Sequence, residues 1–369
     1  MIKILHVVSS LNINAGMMSV IMNYYRNIDR SKIQFDFFYF EEMKETHQAE
    51  IEQLGGKVFF MPYRTFKPSD QREIRKFFQE HKGEYTIVHC HPIWSAEVVA
   101  HEAKKIGIQH IIQHSHSTKF SDKRISAYRN QLLMKFVGFF ATDYIACSPE
   151  AAALFGKKIE SSGKVYLLPN AIELSNYTYD KYLREKIREE FGFNEGNLVI
   201  GNVGRLCIQK NQSFLLDVFN DILKLYPDAK LLIVGEGPLR EEIEQKIKEL
   251  HISDSVVLTG KRRDIKAILS AIDLFVMPSL FEGAPVSAIE ARTCGLPCVL
   301  SDVITKSIEM KGIRYTSLNN SPTEWAKECL EHYEALKLDD RHDITEIVKH
   351  GLDIKTEAIK LQEYYLNLE

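Results

Sequence analysis

The segment Ser279–Glu290 (SLFEGAPVSAIE) concentrates side chains and backbone that could do chemistry. A buried-strand run, LFVMPS, leads into a loop with Gly283. Pro285 stands where a helix would begin, a residue type favoured in a first turn. The backbone over Gly283, Ala284, Pro285, Val286 and Ser287 would then lie at the open start of that helix. Free N–H groups and the positive end of the helix dipole suit a diphosphate there. Glu290, about five residues in, stands about 7.5 Å along the axis, a sensible reach from a phosphate to the hydroxyls of its ribose. Glu282, in the preceding loop, would face an attached sugar. An ordinary helix with a capping carboxylate has the same spacing.

A second group follows another strand. Gly201-Asn-Val-Gly204-Arg205 ends an apolar run, and Gln209-Lys210-Asn211 comes shortly after. Glycines there allow close backbone approach. Arg205 and Lys210 would set two cations where a departing diphosphate builds charge. Solvated surface side chains are the plainer alternative. No Asp-x-Asp element ends a strand, so no divalent metal is expected, and Asp339-Asp340 falls in a polar helical tail.

In the first half, the run His110–Gln113 delivers His114 and His116 at its carboxyl end. Either could hold a hydroxyl of an acceptor. In extended chain the two are expected to point to opposite sides, so that one faces the ligand. His89-Cys90-His91 has the composition of a metal site, but a polar strand-end cluster is the expectation. Gly16, after Ser9-Ser10-Leu-Asn-Ile-Asn-Ala, opens a helix below the first strand. Leu231–Arg240 (LLIVGEGPLR) holds Gly235 and Gly237 but has Arg240 where a dinucleotide fingerprint needs its third glycine.

These loops need a frame. Apolar runs at Ile2–Val8, Phe35–Phe40, Lys57–Met61, Thr86–Cys90, His110–Gln113, Asp143–Cys147 and Lys164–Leu168 alternate with helical patterns such as Met17–Asn27, Ser69–His81 and Ser95–Lys105. A second series runs Asn197–Val203, Ala229–Gly235, Ser255–Thr259, Asp273–Pro278 and Pro297–Ser301. Strands separated by helices imply parallel, doubly wound sheets. Residues 170–196 carry no strand signal and read as a linker. The expectation is two Rossmann-like domains, 1–172 and 173–345, facing across a cleft. A helical segment, 346–369, would return to the first. Open α/β sheets bind ligands beyond the carboxyl ends of their strands, and a closing cleft would keep water from a reactive donor.

Bulk properties agree. The chain has 369 residues and a formal charge of −3, too long for one ordinary core and giving no case for nucleic acid. Residues 1–180 carry roughly +3 and the rest roughly −6. Cys90, Cys147, Cys207, Cys294, Cys298 and Cys329 show no paired spacing, which points to a reduced, cytoplasmic setting. The amino terminus reads as a strand rather than a signal peptide, and no apolar stretch approaches the ~20 residues of a membrane span. Lys119–Phe140 mixes Lys, Arg and aromatics. It is either an interfacial helix touching anionic lipid headgroups or, the reading preferred, a long helix whose apolar face joins the core.

Taken in order, GNVGR, LIVGEGP (Leu232–Pro238), Thr259-Gly260-Lys261 and the pair Glu282 and Glu290 resemble glycosyltransferase family 4, retaining enzymes of GT-B fold. Pro169-Asn170-Ala-Ile resembles the family's interdomain segment, and the likeness spans nearly the whole chain. It implies an α/β, GT-B protein that moves a hexose or N-acetylhexosamine from a nucleotide sugar, UDP-linked by preference, to a saccharide or lipid-linked acceptor in surface polysaccharide biosynthesis. It implies that Glu290 binds ribose and that Glu282 with Gly283 to Ser287 meets the sugar and phosphates. Arg205 and Lys210 would hold the diphosphate, with Gly204, Gly235 and Lys261 lining the donor site. His114, His116 and Gly16 would take the acceptor side. Ala15 stands where the family often has a second glycine. No cofactor or metal is implied, and peripheral contact with the inner membrane face is allowed. The alternative is a catalytically silent GT-B subunit that recruits a partner transferase.

Overall fold

The computed structural model describes residues 1–61, 68–120, 124–336 and 341–368. The chain divides into two compact units. The first is Met1–Ala171 together with the chain from Ile354 on, and the second is Ile172–Asp353.

The first unit holds a seven-stranded parallel sheet: β1 (Ile2–Ser10), β2 (Ile33–Glu41), β3 (Val58–Phe60), β4 (Ile87–Cys90), β5 (His110–Ser115), β6 (Asp143–Ala146) and β7 (Val165–Leu167), in the order β3-β2-β1-β4-β5-β6-β7. Helices on both faces explain why β2 (IQFDFFYFE) is buried at every position but its last. The direction of winding reverses between β1 and β4, which pair in register with His6 opposite His89. The terminal helix Ile354–Leu366 belongs here. Gln362 Oε1 accepts from the Asp29 N–H at 3.0 Å, and Tyr364 stacks on Tyr166 with ring centres 4.4 Å apart. Return to this unit starts at Ile354 rather than at residue 346, because the helix Thr345–Lys349 buries Ile347 in the second unit.

The second unit has six parallel strands: β8 (Val199–Val203), β9 (Lys230–Val234), β10 (Val256–Gly260), β11 (Leu274–Met277), β12 (Cys298–Ser301) and β13 (Ile313–Thr316), ordered β10-β9-β8-β11-β12-β13. Apolar clusters cover both faces, one around Ile268, Phe275 and Ile289, the other around Leu215, Phe219 and Trp325. Five of the six strands follow the sequence runs. β13 was not expected, because four residues, Ile-Arg-Tyr-Thr, are too short a run for their alternation to stand out.

Two expectations are corrected. Residues 172–196 are no free linker. The helix Lys181–Glu190 packs on the helix Ile265–Ala271, and Arg184 and Arg188 both pair with the buried Asp273, at 2.7 and 2.5 Å. Nor does the apolar surface of Lys119–Phe140 all join the core. Within the helices Arg124–Lys135 and Val137–Phe140, Met134, Val137 and Phe140 are buried. Ile125, Tyr128, Leu132, Phe136 and Phe139 stay exposed, Ile125 and Phe139 by more than 80% (88% and 81%). Ile125, Tyr128 and Leu132, three and four residues apart, lie in one stripe on the first helix, and Phe136 and Phe139 follow at its end and on the second. No described helix is long and apolar enough to cross a membrane.

Candidate active site

In the second unit, the loops leaving β8 and β11 are built as one piece. After β8 the chain makes a short 3-10 turn, Ile208–Lys210, and Asn211 takes a left-handed conformation (φ 55°) to start the next helix. The Asn211 amide donates to the Pro278 carbonyl at 3.1 Å, and the Leu280 N–H donates to the Gln209 carbonyl at 2.8 Å. Lys210 and Glu282 therefore meet, Nζ to Oε1, at 2.7 Å, with both side chains largely enclosed. Gln209 holds the other carboxylate oxygen at 3.2 Å and the Phe281 carbonyl at 3.0 Å. Gly204 lies beneath the lysine: a Cβ there would come within 3.1 Å of Lys210 Cε. Gly235 is stricter. Its φ is 139°, and a Cβ would fall 2.0 Å from the Gly204 carbonyl oxygen.

The helix after β11 runs Val286–Thr293, and Pro285 precedes it as the N-cap. The expected start shifts by one residue, and Pro285 has no N–H to give. The N–H groups of Val286 and Ser287 have no backbone acceptor among the described residues, as the start of a helix requires. Gly283, Ala284 and Pro285 are buried, and Val286 and Ser287 half-buried. Glu290, one turn along, is pushed up to about 7. Burial is the main cause, opposed by the Tyr177 hydroxyl that donates to it and by the nearby Lys210 ammonium. Arg205 is exposed, with no ion-pair partner among the described residues. Lys261 is exposed at the end of β10, two strands from β8. The group that comes together is thus Lys210, Glu282, Glu290 and the helix start. Gln209 and Tyr177 complete it. Neither was expected; Tyr177 sits in the stretch read as a linker and carries no local signal.

In the first unit, the histidines form a connected set. Tyr365 Oη is 2.7 Å from His89 Nδ1, and His89 Nε2 is 3.1 Å from His114 Nδ1. A second chain runs from His6 Nδ1 to His91 Nε2 at 3.0 Å, then from His91 Nδ1 to His116 Nε2 at 2.7 Å. The expectation that His114 and His116 diverge is wrong. Side chains alternate along a strand, so positions two apart share a face, and the two rings stack 3.8 Å apart. Burial holds all five rings neutral, with His6 and His116 lowered to about 3 and His89, His91 and His114 well below their ordinary value. His6 had gone unnoticed; its only signal was a polar residue inside β1 facing its equivalent in β4. Gly16 starts the helix Gly16–Asn27 in open space, where an added Cβ would meet nothing within 4 Å.

Two doubly wound sheets, with the Lys210–Glu282 pair ahead of a helix start in the second, fit a glycosyltransferase of GT-B fold. Known proteins agree. Residues 15–176 match the family described as Glycosyltransferase Family 4, and residues 183–331 match Glycosyl transferases group 1. The chain is 31% identical over 332 residues to EpsF of Bacillus subtilis, named as a glycosyltransferase, covering 88% of this chain and 86% of that one. It is also 31% identical over 234 residues to the Escherichia coli UDP-Gal:alpha-D-GlcNAc-diphosphoundecaprenol alpha-1,3-galactosyltransferase, covering 60% and 59%. The fold of Anabaena HepE, solved in complex with UDP-glucose, superposes with a TM-score of 0.80 over the full length of both chains at 20% identity. The chain belongs to glycosyltransferase family 4.

Proposed function

We propose that the chain is a retaining transferase that moves a hexose or N-acetylhexosamine from a UDP-sugar to a saccharide or lipid-linked acceptor in surface polysaccharide synthesis. The observation that carries this reading is the Lys210–Glu282 pair in the loop that leads to the N–H groups of Val286 and Ser287, which have no backbone acceptor among the described residues. A diphosphate would take those N–H groups and the lysine, with Arg205 adding a second cation. Glu290 would accept from the ribose hydroxyls, and Glu282 would face the sugar. The printed name of the E. coli relative, with a UDP-linked donor and a lipid diphosphate acceptor, supports both substrate classes.

The bond from C1 to the diphosphate oxygen breaks while a bond to the acceptor oxygen forms on the same face. The acceptor proton passes to the leaving phosphate, so no carboxylate nucleophile is required. Lysine, arginine and helix-start dipoles stabilise the charge that develops, and no divalent ion is needed in this scheme. On the first unit, His114 and His116 would hold the acceptor near Gly16. The exposed stripe from Ile125 to Phe139 would rest on the membrane surface from which a lipid-linked acceptor is drawn. Between Glu102 and Asp143 the sequence has one acidic residue against seven Lys and Arg, which favours an anionic surface.

A panel of UDP-, GDP- and ADP-sugars tests this directly, by donor hydrolysis and by thermal shift with the free nucleotides. The expected result is stabilisation by UDP and release from a UDP-sugar, both undiminished by a chelator. Failure of every nucleotide to bind, or activity abolished by chelation, would overturn it.

A further inference from the structure

We propose that His91, His114 and His116 form a binding site for one divalent transition-metal ion of the Zn2+ type. Each presents a ring nitrogen, and the three lie within 4.8 Å of one another. A tetrahedral ion with bonds of about 2.0–2.1 Å would bring them to roughly 3.3 Å apart, and the stacked His114 and His116 rings, 3.8 Å between centres, would turn from one another to share it.

The proton arrangement supplies the second argument. His114 uses Nδ1 on His89, and its Nε2 is buried with no hydrogen-bond partner among the described residues. The hydrogen bond between His91 Nδ1 and His116 Nε2, 2.7 Å, takes one proton, which a change of tautomer moves to the far nitrogen of the ring that carries it. All five rings can be neutral with their protons turned away from the ion. His91 then donates through Nε2 to His6, His114 through Nδ1 to His89, and His89 through Nδ1 to Tyr365. Lone pairs are left on His91 Nδ1, His114 Nε2 and His116 Nε2, the nitrogens that an ion between these rings would take. No proton need be lost, because neutral imidazole is the form that ligates. His6, His89 and Tyr365 become the partners that fix ring orientation, the arrangement metal-ligating histidines ordinarily have.

His6, His89 and His91 offer nitrogens within the same distance, but all three rings are sealed, whereas His116 is partly open. The outer trio therefore has a way in. Three imidazoles with no carboxylate select Zn2+, Co2+, Ni2+ or Cu2+ and disfavour Mg2+ and Ca2+. An ion here would occupy His114 and His116 and hold an acceptor away; that consequence, unlike the binding itself, rests on the transferase reading above.

The test uses untagged, metal-stripped full-length protein with neither donor nor acceptor present. Zn2+ titrated by calorimetry should bind at one equivalent with micromolar or tighter affinity, unaffected by millimolar Mg2+. Co2+ should give the visible absorption of a four-coordinate ion. His114→Ala and His116→Gln should each weaken binding about 100-fold or more, and Tyr365→Phe roughly tenfold. His101→Ala, on an exposed helix position, should leave it unchanged. His116 lies at the rim, so the Gln variant is expected to fold even if His114→Ala does not. Binding that survives His116→Gln, or no saturable Zn2+ binding, overturns the proposal.

Discussion

The two sheets share a topology but fill the place where their winding reverses with opposite chemistry. Around β1, β4 and β5 stand His6, His89, His91, His114 and His116, neutral and bonded to one another. Around β8 and β11 stand Lys210, Glu282 and Glu290, with Gly204 and Gly235 forming the floor. Imidazoles can exchange partners and protons at little cost. A fixed ammonium over glycine backbone cannot, and it suits a ligand whose charge is always the same. This contrast is what the proposed function rests on: phosphate chemistry in the second unit, recognition of a neutral hydroxyl in the first.

The sharpest way to break this contrast is Lys210→Ala. Gln209 still bonds Glu282, so the carboxylate is not left alone and the fold should hold. Loss of the cation at the leaving group should lower kcat by about 10²–10³, roughly 3–4 kcal/mol, with a smaller change in donor KM. His114→Ala should instead raise acceptor KM and leave donor affinity alone. Equal effects of both variants on donor KM would dissolve the distinction. Next comes Gly235→Ala. A Cβ placed 2.0 Å from a carbonyl oxygen at φ 139° should cost about 3 kcal/mol. The readouts are denaturant midpoint and loss of UDP binding. Gly16→Ala, in open space, should change stability by less than about 1 kcal/mol.

Much of this was legible from residue types. Twelve of the thirteen strands announce themselves as apolar runs, the inner ones because both faces of the sheet are covered, and the exception, β13, is an edge strand whose Arg314 pairs with Glu328. Glu282 and Lys210 could be singled out because glycines and a helix start flank them. Tyr177 could not, since nothing local ties a residue 113 positions before Glu290 to that carboxylate. The histidine network was half visible. His89, His91, His114 and His116 stand at strand ends, but His6 joins them only through the β1–β4 register. The apolar stripe was misjudged because a 22-residue amphipathic pattern does not say which of two apolar faces the core takes.

That stripe separates the units in another way. Replacing Ile125 and Phe139 by Ser should reduce binding to vesicles containing anionic phospholipid by roughly 30-fold, taking about 1 kcal/mol for each side chain at the interface. Stability should be unchanged, because both side chains are exposed in the free protein. High salt should weaken binding of the parent protein too. Vesicle binding that ignores both the double variant and salt would place any membrane contact elsewhere.

A dependence on pH sharpens the contrast from within the charged site. Burial makes Glu290 hold its proton to about pH 7. A carboxyl raised above its ordinary value binds protons more tightly folded than unfolded. The stability it contributes is thus complete below about pH 4.5 and is lost as pH rises through 7. Melting temperature should fall between pH 5 and 8 more in the parent than in Glu290→Gln. Donor affinity should move the opposite way: the carboxylate can accept from two ribose hydroxyls, so donor KM should drop as pH passes about 7. In Glu290→Gln that step should vanish, with KM raised about tenfold at pH 8, near 1.4 kcal/mol, and kcat little changed. A pH step that persists in the Gln variant would assign the titration to another group and detach Glu290 from the ribose.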